Sequence, residues 1–220
     1  MSSIDMSRLA PPHLEEQFHS PDQQREAATL GMWAFLATEV LFFGGMFTAY
    51  MVYRFEHWQA FQEAGTHQEW YLGCLNTIVL LTSGFTMALA VEFARKGERF
   101  WLLALFALTW ILGAAFLGIE GYEYHTKFIK HLVPGSSFQF TGSDPSSSEL
   151  FFVLYFTMTG MHMFHMFVGL MLILLFSGCT WLSPRFLLKP NRFEVLGLYW
   201  AFVDIVWVFL YPLFYLVNPQ

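Results

Sequence analysis

Five stretches of this chain run for about 20 residues or more with almost no charged side chain, and that pattern leaves few folds open. They lie between Glu26 and Arg54, between Glu69 and Glu92, between Arg99 and Glu120, between Glu149 and Arg185, and from Glu194 to the end. In lipid every backbone N–H and C=O must be satisfied within its own segment, so stretches of this kind cross as helices. The expected fold is all-α, an integral membrane bundle of five transmembrane helices within residues 27–220. The fourth stretch is longer than a bilayer requires, so its helix should tilt or protrude. Composition agrees: 13% of residues are charged, against about 25% in soluble chains, and 26 are Phe. Residues 1–26 are polar and contain Pro11, Pro12 and Pro21, which reads as an N-terminal arm. They lack the basic start and following apolar stretch of a secretory signal. A net charge of -6 argues against a nucleic-acid partner.

Basic residues orient the bundle. Five crossings put the termini on opposite sides. Arg8, Arg25, Arg95, Lys96, Arg99, Arg185, Lys189 and Arg192 fall on the N-terminal side, and only Arg54, Lys127 and Lys130 on the other, 8 against 3 of the 11. The N-terminus is expected inside and the C-terminus outside. Cys74 and Cys179 then sit at opposite membrane faces, too far apart for a disulfide.

Ionisable residues inside the stretches are costly, and they persist where they face a partner or do work. Glu39 lies near mid-depth of the first, with Phe35, Leu36, Phe42 and Phe43 sharing its face. It is the proton-handling or lipid-contact candidate. His162 and His165 lie near the middle of the fourth stretch and Asp204 in the fifth. With Trp207 they are the buried polar packing candidates, and Asp204 is expected to hold His162 or His165. No other stretch carries an interior His, which argues against haem or metal ligation by this pair. Glu120 and Glu123 read as a solvated helix end. No phosphate loop, nucleophile set or dinucleotide fingerprint is visible, so no catalytic residue is assigned. A bundle with buried carboxyls and no cofactor ligands reads as an accessory subunit.

Five ordered segments carry a family likeness: FLATEVLFFGGMF, LNTIVLLTSGFTMALA, LGAAFLGIEGYEY, FTMTGMHMFHMFVG and FEVLGLYWAFVDIVWVFLY. Together they resemble subunit III of the haem-copper respiratory oxidases, closest to cytochrome c oxidase, in its short five-helix bacterial form. The likeness departs where the family carries a His between Trp200 and Phe202, which is Ala201 here. The resemblance implies a non-catalytic subunit of a proton-pumping terminal oxidase in the bacterial plasma membrane. It implies direct contact with subunit I, association with subunit II and other respiratory subunits, and bound phospholipid. Haem and copper would sit on the partners and none on this chain. Glu39 matches the family's buried, carbodiimide-reactive carboxylate. Two alternatives keep the family: a quinol oxidase subunit, or an accessory subunit of nitric oxide reduction. A stand-alone proton-coupled carrier is the alternative from another class, but five spans do not divide into repeats.

Overall fold

The computed structural model describes residues 18, 20–183, 186–187 and 190–215. Most of the expected N-terminal arm, with Arg8, and the basic residues Arg185 and Lys189 lie outside the described residues. The helices are α1 (Pro21–Glu56), α2 (Trp58–Gly65), α3 (Trp70–Arg95), α4 (Arg99–Ile129), α5 (Pro145–Leu182) and α6 (Asn191–Tyr215). Among the described residues all but α2 are long and apolar enough to cross a membrane, which makes five spans. α1 begins inside the segment read as an arm, because Ser20 caps it by accepting from the Gln23 amide at 3.2 Å. α5 has 38 residues. At 1.5 Å per residue it is roughly 57 Å long, nearly twice the hydrocarbon thickness, so it protrudes or tilts.

The ends of the bundle are distinct. The proximal end holds the start of α1, the α3–α4 turn and the start of α6. The distal end holds α2, the α4–α5 loop and the close of α6. The α3–α4 turn is tight for a stated reason. Gly97 takes φ 72°, its amide donates to Ala94 O at 3.1 Å, and the Glu98 amide donates back to Phe93 O at 3.0 Å. That is a Schellman closure, and only glycine adopts the left-handed backbone without strain. α5 starts on Asp144, whose carboxylate accepts from the Ser147 hydroxyl at 2.6 Å and its amide at 3.2 Å.

α6 packs against α1, α3 and α5 and is the most enclosed span, whereas α1 is the least. The core is aromatic. Tyr50, Phe61, Phe151, Tyr155 and Phe214 fill the distal half with ring centroids 4.9–6.4 Å apart. Phe106, Phe176, Phe186 and Phe193 do so near the proximal end. Offset and edge-on ring contacts of this kind add to area burial. Cys74 and Cys179 are both free, on α3 and α5.

Candidate functional site

Glu39 projects from the middle of α1 toward α5. There it meets His165, with Nε2 and Oε2 3.1 Å apart. The other ring nitrogen decides where the hydrogens lie. His165 Nδ1 is 2.9 Å from the Met161 carbonyl. A carbonyl only accepts, so Nδ1 donates. A neutral imidazole then offers a bare Nε2 and requires a protonated Glu39; an ionised Glu39 requires the imidazolium. In both forms one proton lies between the two side chains. Phe43 packs edge-on at 5.4 Å from the imidazole, and Tyr199 donates to the His165 carbonyl at 2.9 Å. The pair is not sealed, since the His and Glu side chains stay 12% and 19% exposed.

His162, three residues earlier, is rotated by about 60° around α5 and faces the interior. It is fully buried, its Nε2 donates to the Val203 carbonyl at 3.2 Å, and its ring lies against Phe116 and Trp207. Trp207 in turn donates from Nε1 to Thr77 on α3 at 3.1 Å. One residue cluster thereby joins α3, α4, α5 and α6. Trp200 repeats the device higher on α6, donating to Ser83 at 3.1 Å.

The expected pairing of Asp204 with an imidazole is not found. His165 is turned to α1 and His162 is spent on a backbone carbonyl. Asp204 instead lies against Gly84 of α3, where a Cβ would collide with its Oδ2. Its Oδ1 is buried with no hydrogen-bond partner.

A second correction concerns the distal end of α4. Glu120, Glu123 and Lys127 are not solvated; they are 0%, 2% and 2% exposed. Lys127 pairs with Glu123 and stands 4.5 Å over the Tyr155 ring. Glu123 also accepts from Tyr155 at 3.1 Å and Tyr215 at 2.8 Å. Glu120 accepts from Asn76 at 2.9 Å, and its Oε2 is buried without a partner. The sequence held a signal for this cluster: positions 120, 123 and 127 share one helical face with Phe116. At the proximal end Glu194 receives Arg25 at 3.5 Å and Arg95 at 2.9 Å, while Glu92 holds Lys96 at 3.2 Å. Among the described residues no group of three His, Cys, Asp or Glu side chains is arranged to hold a metal.

The model of the family described as cytochrome c oxidase subunit III matches residues 18–218. Cytochrome c oxidase subunit 3 of Thermostichus vulcanus is 31% identical over 197 residues, 86% of this chain and 87% of the relative. That of Alkalihalophilus pseudofirmus is 31% identical over 220 residues, 98% of this chain and 97% of the relative. Cytochrome bo(3) ubiquinol oxidase subunit 3 of Pseudomonas aeruginosa is 32% identical over 189 residues, 86% of this chain and 84% of the relative. With five spans and a family match over nearly its whole length, the chain belongs to the cytochrome c oxidase subunit III family, as the third subunit of a multi-subunit haem-copper oxidase.

Proposed function

We propose that this chain serves a proton-pumping terminal oxidase of the bacterial plasma membrane, packed directly on subunit I, with cytochrome c as electron donor. It supplies no redox centre. Its proximal end faces the cytoplasm, as the basic residues there support. The observation that carries the reading is the Glu39–His165 contact. The two side chains meet at 3.1 Å near mid-membrane and stay partly open, where an ionisable group is costly unless it has a partner or a task. Bound phospholipid is part of the same reading; the open hollow of about 610 Å³ beside the start of α1 does not itself argue for it, since Asp22, Glu26 and Glu194 line it beside Arg25.

Glu39→Gln tests it in the purified complex. The amide keeps the shape and removes the ionisable proton. The expected result is full haem content with proton uptake and turnover lowered several-fold and a changed pH profile. Uptake equal to the parent at every pH would leave Glu39 a packing residue. A quinol donor is the second reading, favoured by the 32% identity to a ubiquinol oxidase subunit. Oxidation of reduced cytochrome c, but not of quinol, by the same preparation decides between them.

A further inference from the structure

Two acceptor oxygens in the distal half of the bundle lack a hydrogen. Glu120 on α4 and Asn76 on α3 are both fully buried. One bond joins them, donated by Asn76 Nδ2 to Glu120 Oε1 at 2.9 Å. The second oxygen of each group, Glu120 Oε2 and Asn76 Oδ1, is buried with no hydrogen-bond partner. A carboxylate oxygen and an amide carbonyl only accept, so neither can serve the other while Glu120 is ionised. Each orphan carries its own desolvation cost. Turning the Asn76 amide over does not help. Its carbonyl would then lie 2.9 Å from Oε1, two acceptors face to face.

The charges around Glu120 point the same way. On α4 the Lys127 ammonium is taken by Glu123, one turn from Glu120. Glu123 also receives the hydroxyls of Tyr155 from α5 and Tyr215 from α6. The Tyr124 hydroxyl is engaged with Thr159 at 2.6 Å, and Glu69, ahead of α3, lies 3.9 Å from Lys130. No cation is left for Glu120. Two ionised carboxyls around one ammonium would leave a net negative charge in a sealed interior, where a group in that position neutralises instead.

We propose that Glu120 is a proton-binding site, a neutral carboxylic acid whose Oε2–H donates to Asn76 Oδ1 and closes a ring of two hydrogen bonds between acid and amide. One hydrogen then satisfies both orphaned oxygens and removes the excess charge. The site shares no residue with the Glu39–His165 pair and does not depend on the role given to that pair. A water donating to both oxygens would satisfy them but leave the carboxylate without a counter-charge. A metal cation in the proton's place needs a shell of several oxygens, and the nearby tyrosine hydroxyls already serve Glu123.

The test is infrared spectroscopy at neutral pH on the complex purified through a tag on this chain. A neutral carboxylic acid gives a C=O stretch above the amide band, and that stretch shifts in D₂O. Glu120→Gln offers Asn76 the same donor and acceptor, so the bundle should assemble and unfold at the temperature of the parent. The parent-minus-variant spectrum should contain the acid band and no carboxylate bands. Asn76→Leu keeps Glu120 but removes the acceptor. It should move the same band to higher frequency and lower the unfolding midpoint. Carboxylate bands in place of the acid band in the Glu120→Gln difference overturn the proposal, and their response to exchanging sodium for choline tells a bound cation from a water. An acid band unmoved by Asn76→Leu, or failure of Glu120→Gln to assemble, overturns it as well.

Discussion

Lys127 and Glu123 show how a single residue's burial sets the penalty for changing it. The ammonium and the carboxylate form a pair 3% and 2% exposed, braced by two tyrosine hydroxyls. Lys127→Met leaves the carboxylate buried and uncompensated, which should cost about 3–5 kcal/mol, read as a lowered unfolding midpoint in detergent. Removing both charges, Lys127→Met with Glu123→Gln, should recover most of that loss. Asp144 gives a pH-dependent effect at the start of α5. The Ser147 hydroxyl and then its amide hold the Asp144 carboxyl below the usual carboxylate range. Its contribution is therefore present above the ordinary carboxylate value and disappears as pH falls through the lowered one. Amide exchange in the first turn of α5 should accelerate across that acid window, and Asp144→Asn should abolish the pH dependence while keeping the cap. Burial at this scale was the least legible feature of the sequence. Glu120, Glu123 and Lys127 sit near a span boundary, where charge is normally solvated. Only the packing of α3, α5 and α6 around them excludes water.

Elements were more legible, because their signal is carried by many residues at once. The five spans followed from charge-free length; α1 starts earlier than its stretch, at the Ser20 cap, and α4 continues past Glu120 to Ile129, because its charged residues there are buried against neighbouring helices. The short α2 escaped notice because its eight residues make only about two turns, too few to cross a membrane or to stand out between two spans. Partner choice was also hidden. His162 and His165 differ by three positions, and that rotation sends one to α6 and the other to α1. Two predictions belong to elements. Thr77→Val leaves the Trp207 N–H buried and unpaired and should cost about 1–3 kcal/mol in thermal unfolding, an effect that Trp207→Phe in the same chain should partly cancel. Gly97→Ala forces a side chain into the φ 72° turn and should cost about 1–2 kcal/mol without altering the spans, as read by circular dichroism melting.

For the whole molecule, fold class and family were legible in the sequence, whereas the groove between α3 and α6 was not. The departure at Ala201 appeared in the sequence as a missing imidazole. In three dimensions it lines an open groove between α3 and α6. The order of enclosure also has a consequence for how the polypeptide is made. α6 follows the other four described spans in chain order, yet α1, α3 and α5 are all arranged around it. The earlier spans can already form the α3–α4 hairpin and the contacts of α5 with α1, α2 and α4, but the faces that α1, α3 and α5 turn to α6 stay uncovered until it inserts. A nonsense codon ahead of Asn191 should therefore yield a protease-sensitive product with the right number of early crossings and none of the native tertiary contacts to α6.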